Sequence, residues 1–340
     1  MDAAMKNIVI LATGGTIAGA GEQGKDIGYK SGSIEAQTLI DAIPELKNVA
    51  NIFVEQVCNI NSDDITSEIW ISLALRIKEL SENGFGDSHE NVDGFVIMHG
   101  TDTMEETAFF LSLTLGVGAN CKKQMAAQTA AKPVVLTGSM RPATAAEPDG
   151  PANLLFAVKC AVVEGSSDCP VYVAFAGKLM DARTVQKIHA NDLDAFAEVA
   201  SSACHAREGG HLLLANAKKA FDISSLRSLP KVSVLYFNAD ADASLISFAA
   251  ERSAGLVVAG AGAGEFSQSW ATAISDAIAQ KKIPVVISSR INRGCIVPEQ
   301  LLVSGTIAAY GLPPAKAAVL LRLALTVTRD SAEIQKIFKE

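Results

Sequence analysis

The chain has 340 residues, of which 49% are hydrophobic and 19% charged, with 26 glycines. This composition predicts a packed protein of one large or two medium domains and excludes a disordered or coiled-coil protein. The net charge of −8 and the lack of a basic cluster argue against nucleic-acid binding. The longest apolar run, residues 317–325, contains an arginine and is too short to cross a membrane, so we also exclude a membrane-spanning protein.

The cysteines and histidines give no pattern for a metal site. Six cysteines are scattered without a CxxC pair, which is typical of buried or free thiols in a reducing compartment. The five histidines lack the spacing of paired metal ligands. The apolar N-terminal run leads directly into glycines and not into a cleavage site. We therefore predict a cytoplasmic protein that binds no metal.

Strand-like runs rich in valine and isoleucine recur through the first half of the chain. They cover residues 8–12, 52–57, 94–98, 134–137 and 171–175, and helix-like stretches cover 65–80 and 103–115. Such alternation is typical of βαβ units with a parallel sheet.

The alternation lapses near residue 203 and resumes near residue 228. Strand-like runs then cover 232–236, 255–259 and 283–287, and the chain ends in helix-like stretches at 314–328 and 331–338. We predict an α/β fold with two domains: a larger N-terminal parallel-sheet domain (1–203), a linker (204–228) and a smaller C-terminal α/β domain (229–340).

The first predicted strand runs into the sequence TGGTIAG, residues 13–19. Glycines let the backbone turn sharply and expose a hydroxyl, here that of Thr16, at the carboxyl edge of the sheet, where α/β proteins bind ligands. A flexible glycine-rich loop without chemistry is the alternative. Gly19, Gly21 and Gly24 also match GxGxxG, but no helix follows as dinucleotide binding requires, so that match is weak.

The third predicted strand ends in HGTDTMEET, residues 99–107, and places Thr101 and Asp102 at the same edge. The alternative is helix capping, because Thr103 and Glu106 have the spacing of a capping box. Both interpretations are compatible, since a cap would rigidify the turn. Similar strand ends at residues 137–142 and 59–64 repeat the theme, so a site at this edge is favoured.

These motifs together resemble one family. The sequences ILATGGTIAG (10–19), MHGTDTMEETA (98–108) and GSMRP (138–142), with the DGP of 149–151, resemble the bacterial type L-asparaginases and glutaminase-asparaginases. The similarity extends almost from end to end. It implies a two-domain α/β homotetramer that hydrolyses L-asparagine, and in some members L-glutamine as well, to the acid and ammonia, without metal or cofactor.

The resemblance also implies a role for individual residues. Thr16 matches the primary nucleophile, and Tyr29 matches the tyrosine of the loop that closes over it. Thr101, Asp102 and Lys187 match the second catalytic constellation. Ser62 matches the serine that holds the substrate α-carboxylate, and Asp102 also matches the group that binds the α-ammonium.

The chemistry of these residue types fits such a reaction. A threonine hydroxyl needs a neighbouring base to become a good nucleophile, and a lysine in a pocket is a suitable one. Main-chain N–H groups at the glycine turns are suited to stabilise an oxyanion. We therefore place three further residues at the substrate: Gly15, Gly100 and Ser139.

Three positions depart from the family pattern. Asp63 follows the substrate serine where glutamine or glutamate is common, and we predict that it pairs with the substrate ammonium. Ala263 stands where the family has an asparagine in the second domain. Leu301 stands near the position where the family has a glutamate that reaches a neighbouring subunit. If the gap in the alignment is placed differently, Glu299 takes that position.

Two other functions remain open: an ammonia-supplying subunit of a tRNA-dependent amidotransferase, or a catalytically weak amino-acid binder. We expect a small-molecule substrate, no nucleic acid and no membrane. A homotetramer is predicted from the resemblance and from the apolar segment 317–325, which should need covering.

Overall fold

The computed structural model describes residues 4–22, 24–25, 30, 32–115, 132–163, 171–199 and 220–339. The chain divides into two compact units. The first contains the chain up to Glu198 and a segment ending at Leu226, and the second contains the chain from Arg227. Most of the predicted linker lies outside the described residues, so the exact domain boundaries stay predictions.

The first unit is built on a mostly parallel sheet. Among the described residues it has six strands in the order β2-β1-β3-β4-β5-β6. They are β1 (Asn7–Gly14), β2 (Asn51–Ile60), β3 (Gly94–Met98), β4 (Val134–Thr137), β5 (Val171–Phe175) and β6 (Lys178–Asp181). The first five pair in parallel, and β6 returns antiparallel to β5. β3 and β4 are buried along their whole length, which explains their continuous apolar sequences.

The other elements of the first unit are helices and a small ribbon. The helices are α1 (Ala36–Asp41), α2 (Ser67–Asn83), α3 (Met104–Leu115) and α4 (Gly150–Ala161). The ribbon pairs β7 (Val185–Lys187) antiparallel with β8 (Phe196–Glu198) and belongs to neither larger sheet. The sequence did not indicate this ribbon.

The second unit has a parallel sheet of four described strands in the order β12-β11-β10-β9. They are β9 (Val232–Tyr236), β10 (Gly255–Gly260), β11 (Val285–Ser289) and β12 (Ile307–Ala308). The helices are α5 (Ser244–Ala250), α6 (Gln268–Asp276), α7 (Pro314–Ala324) and α8 (Ser331–Lys339). The predicted α/β class with two parallel-rich domains is confirmed.

Helix α7 corrects one premise of the sequence interpretation. It packs against β9, β10 and β11, and Ala317, Leu321 and Leu323 are fully buried. The apolar segment 317–325 is therefore covered by its own unit, and it no longer argues for an oligomer.

The cysteines depart in part from the expectation. Cys58 and Cys160 are free, as predicted. Cys295 is disulfide-bonded, so the prediction of thiols alone was wrong at this position. In the described part of the chain, no helix has both the length and the apolar character needed to cross a membrane.

Candidate active site

The turn that follows β1 presents Thr16. Gly14 and Gly15 have φ angles of 105° and 80°, a region that glycine adopts without strain. A short 3₁₀ turn over Thr16–Ala18 follows, and the Gly19 N–H donates to the Thr16 carbonyl at 2.8 Å. Thr16 is half-buried at the carboxyl end of the strand, as predicted.

The turn that follows β3 lies directly against the Thr16 turn. A Cβ atom added to Gly15 would lie 2.4 Å from the Gly100 nitrogen and 2.5 Å from its Cα. A Cβ added to Gly100 would in turn lie 2.7 Å from Ser62 Oγ. The ends of β1, β2 and β3 therefore meet at one edge of the sheet, where the parallel arrangement predicts a ligand site.

Lys187 joins this edge from the ribbon. Its Nζ donates to Thr101 Oγ1 at 2.9 Å and lies 2.6 Å from Asp102 Oδ1. The Thr101 side chain is buried, whereas 69% of the Asp102 side chain is exposed against 15% of Lys187. The predicted threonine, aspartate and lysine are thus within hydrogen-bonding distance, with the carboxylate on the solvent side.

The Lys187 main chain is held by a residue that the sequence interpretation missed. Its N–H donates to the carboxylate of Glu105, in the first turn of α3. The available signal was weak: Glu105 precedes Glu106, whose spacing from Thr103 predicts a helix cap, and the sequence analysis gave Glu105 itself no role.

Ser62 is buried beside Asp102. Its Oγ accepts a hydrogen bond from the Asp102 N–H at 3.2 Å, and its carbonyl accepts one from Thr103 Oγ1 at 2.6 Å. Asp63 follows in the same 3₁₀ turn, Ser62–Asp64, and is exposed. Both residues therefore lie at the edge where the sequence placed them.

The loop after β4 brings Ser139 to the Thr101 turn. A Cβ added to Gly138 would lie 2.3 Å from the His99 carbonyl oxygen, so the two segments touch. Ser139 is fully buried, and its Oγ donates to the Arg141 carbonyl at 2.8 Å.

Hydrogen-bond partners decide which main-chain donors are available to an oxyanion. The Gly15 N–H donates to the Ile60 carbonyl at 3.0 Å and is therefore engaged, contrary to our expectation. Within the described segments, the N–H groups of Thr101 and Ser139 make no hydrogen bond. These two donors, rather than that of Gly15, are suited to bind developing negative charge.

A buried histidine, His99, is hydrogen-bonded to the main chain of the Thr101 turn. His99 Nδ1 lies 2.7 Å from the Gly100 carbonyl oxygen, so this nitrogen carries the proton. Its Nε2 therefore accepts a hydrogen bond from Thr107 Oγ1 at 2.9 Å, and the same hydroxyl oxygen accepts one from Trp70 Nε1 at 2.8 Å. Burial lowers the pKa of His99 from 6.5 to about 4, and the neutral ring fits this chain of hydrogen bonds.

The other predicted positions are Tyr29, Ala263 and Glu299. Tyr29 is outside the described residues. Ala263 belongs to the second unit, where it lines a cavity of about 200 Å³ together with Tyr310. Burial and then the charge of Glu299 raise the pKa of Tyr310.

Comparisons with known proteins match both halves of the chain. The family model for the N-terminal asparaginase domain matches residues 7–219, and that for the glutaminase/asparaginase C-terminal domain matches residues 231–338. The chain belongs to the asparaginase family. The family predicted from the threonine motifs is confirmed.

Individual members of the asparaginase family match almost the whole chain. L-asparaginase 2 of Escherichia coli is 37% identical, over 99% of this chain and 94% of its own. A probable periplasmic L-asparaginase of Haemophilus influenzae is also 37% identical, over 99% and 93%. The crystal structure of a probable cytoplasmic L-asparaginase from Campylobacter jejuni gives a TM-score of 0.83 at 38% identity, covering 98% of this chain and 99% of that one.

In the segments that the structure describes, no group of three or more histidine, cysteine or acidic side chains is arranged to hold a metal ion.

Proposed function

We propose that this chain hydrolyses L-asparagine to L-aspartate and ammonia with Thr16 as the nucleophile. The supporting observation is the contact between the two threonine turns, with Lys187 bound to both Thr101 and Asp102. A reactive hydroxyl and a group that handles protons are thereby held at one strand edge.

The reaction proceeds by acyl transfer. Thr16 Oγ attacks the side-chain amide carbon, and its proton passes to the cluster of Thr101, Asp102 and Lys187. The Thr101 N–H stabilises the oxyanion. Collapse of the intermediate breaks the C–N bond, and ammonia leaves with the returned proton. A water molecule then hydrolyses the ester on Thr16 by the same steps and releases L-aspartate.

The charges at the edge suit a zwitterionic amino acid. Asp102 and Asp63 are acidic and exposed, so they are placed to bind the α-ammonium. Ser62 and the Gly100 main chain lie beside them and are assigned to the α-carboxylate. L-glutamine is a second substrate to be tested, since the matching C-terminal domain is that of glutaminases as well as asparaginases.

The test is ammonia release from L-asparagine by the purified chain and its variants. Thr16→Ala and Thr101→Ala should each lower kcat by about 10³-fold or more, because each removes a hydroxyl of the mechanism. Lys187→Met should act similarly, since it leaves Thr101 without its partner. Thr272→Ala, which changes an exposed threonine on α6, is the control.

The same assay separates the alternatives. A chain that binds L-asparagine in calorimetry but releases no ammonia is the amino-acid binder. Release that occurs only with an amidotransferase partner indicates the ammonia-supplying subunit. A folded Thr16→Ala variant with parental turnover would remove Thr16 from the mechanism.

Assembly and location stay predictions of this proposal. Assembly as a homotetramer now rests on the resemblance alone. We predict a cytoplasmic location for this chain. The Campylobacter protein is named a probable cytoplasmic enzyme, whereas the Haemophilus relative is named periplasmic. Because Cys295 is disulfide-bonded, the cysteine pattern no longer supports a reducing compartment. Cell fractionation is the test of the predicted location.

A further inference from the structure

The loop Gly138–Arg141 is tied down by two side chains at the start of α4. Asp149 accepts the Met140 N–H on Oδ2 and the Arg141 N–H on Oδ1, both at 2.9 Å. One turn later, Asn153 Nδ2 donates to the Gly138 carbonyl at 3.0 Å and to Asp149 Oδ2 at 3.2 Å. The two side chains therefore bind the loop at three main-chain atoms.

The Asp149 carboxylate serves this loop and not its own helix. Asp149 occupies the N-cap position of α4, yet its side chain makes no capping hydrogen bond. Pro151, in the first turn, has no N–H to be capped. Both carboxylate oxygens are instead used on two successive N–H groups of the loop, and hydrogen bonds to an ionised acceptor are the stronger kind.

The start of α4 also contacts the Thr16 turn. A Cβ added to Gly150 would lie 2.9 Å from Ile17 Cγ1 and 3.5 Å from Ser139 Cβ. Asn153 Oδ1 accepts the Ala176 N–H at 3.1 Å, which anchors this helix turn to the end of β5. The loop is thus fixed relative to both Thr16 and the sheet.

This arrangement determines which groups of the loop remain for a ligand. The N–H groups of Met140 and Arg141 are occupied by Asp149, whereas the Ser139 N–H makes no hydrogen bond within the described part of the chain. Ser139 is fully buried, and the preceding residue, Gly138, lies against the His99 carbonyl just before the Thr101 turn. Without Asp149, all three adjacent N–H groups would compete for the ligand and the loop would lose its fixed position.

We propose that Asp149, assisted by Asn153, is a positioning residue that holds Ser139 in place against the scissile side-chain amide of the substrate. The proposal rests on the function proposed above. Both oxygens of the Asp149 carboxylate accept N–H groups of the loop, so removing the side chain acts through the alignment of the amide. Misalignment of a reacting group by about 1 Å typically costs 10²-fold in rate.

The test compares two substitutions of Asp149 with a matched control. Asp149→Ala removes both acceptors and should lower kcat/KM for L-asparagine about 100-fold. Asp149→Asn keeps one oxygen acceptor but turns an NH₂ group towards the second N–H, so a loss of about tenfold is expected. Asp242→Asn is the control, because Asp242 also binds an N–H near a helix start, at 2.8 Å, but in the second unit.

Three readouts separate positioning from folding. Circular dichroism and the urea midpoint report whether each variant is folded. A partly unfolded variant would lose kcat and keep its KM, whereas a displaced loop raises KM as well. The pH profile of kcat should keep its parental shape in Asp149→Asn, because Thr101, Asp102 and Lys187 are unchanged.

A raised KM and lowered kcat/KM in folded Asp149→Asn, with parental values in Asp242→Asn, support the proposal. Parental kinetics in any folded Asp149 variant overturn the proposal. If Asp149→Ala fails to fold, the kinetics of Asp149→Asn decide. Failure of the proposed function is visible separately, in the parent or in Thr16→Ala, and the positioning role would fall with it.

Discussion

At the scale of single residues, the contact between Gly15 and Gly100 gives a sharp prediction. Gly15→Ala would place a Cβ atom 2.4 Å from the Gly100 nitrogen, at a φ angle of 80°. Both neighbours are backbone, so the two threonine turns must separate. We expect kcat for L-asparagine to fall at least 100-fold, as measured by ammonia release.

The control for this prediction is Gly86→Ala. Gly86 has a similar φ angle of 68°, but a Cβ atom there would meet nothing within 4 Å. This variant has the same kind of backbone strain, about 1 kcal/mol, without the clash. Its activity should equal that of the parent, and equal activity in Gly15→Ala would show that the turns do not need to touch.

His99 predicts how stability depends on pH. Its pKa is lowered from 6.5 to about 4 in the folded chain, so protons bind more tightly to the unfolded chain. The stabilisation is complete above pH 6.5 and is lost as the pH falls to about 4, by about 3 kcal/mol in total. Urea unfolding should show this loss in the parent and a smaller loss in His99→Gln.

Exposed His89 provides the matching substitution. His89→Gln should keep the parental pH dependence of the free energy of unfolding. If His99→Gln has the same pH dependence as the parent between pH 7 and 4, then His99 does not control it.

Some of these site residues could be predicted from local sequence patterns, and others could not. Thr16, Thr101 and Asp102 follow apolar strands within a few residues, so their place at the sheet edge was predictable from local pattern. Lys187 is separated from Thr101 by 86 positions and has no local signal, so only the resemblance pointed to it. The hydrogen bond from the Gly15 N–H to Ile60 depends on the register of β1 against β2, which no local pattern specifies.

At the scale of elements, the ribbon of β7 and β8 delivers Lys187 without belonging to the main sheet. Contact with α3 includes the hydrogen bond from the Lys187 N–H to Glu105. Glu105→Ala removes this acceptor and frees the end of β7. We predict that kcat falls about tenfold while KM changes less than twofold, because the proposed role of the lysine is in the chemical step.

Glu105→Gln tests whether the acceptor or the charge matters. The amide oxygen can still accept the Lys187 N–H, so this variant should recover most of the activity. Glu82→Ala, at the exposed end of α2, is the control. An unchanged kcat in Glu105→Ala would mean that the pairing of β7 with β8 suffices to hold Lys187.

Element length explains which parts of the fold were predictable. The strands β3, β4, β5 and β9 occur at the predicted residues, because each contains at least three consecutive apolar or β-branched positions. The strands β7, β8 and β12 have only two or three residues, too few to show a period, so no local pattern predicted them. Helix α7 ends at Ala324, before the predicted residue 328.

At the scale of the whole molecule, the sites assigned to chemistry come from one unit of one chain. Thr16, Thr101, Asp102 and Lys187 all belong to the first unit. The second unit holds Ala263, at the position of a family asparagine, and Glu299, the alternative to Leu301 at the position of a glutamate that reaches a neighbouring subunit. A part of the second unit in catalysis therefore stays a prediction, tied to the predicted homotetramer.

The predicted homotetramer can be tested by dilution. Sedimentation velocity should show a species of about four times the 35.6 kDa of one chain. If a neighbouring chain completes each site, dilution into the dissociated range must lower the specific activity in step with the sedimentation coefficient. If the first unit alone is sufficient, specific activity stays constant while the coefficient falls. A fully active species of one chain would contradict the predicted tetramer and would place every group needed for turnover within a single chain.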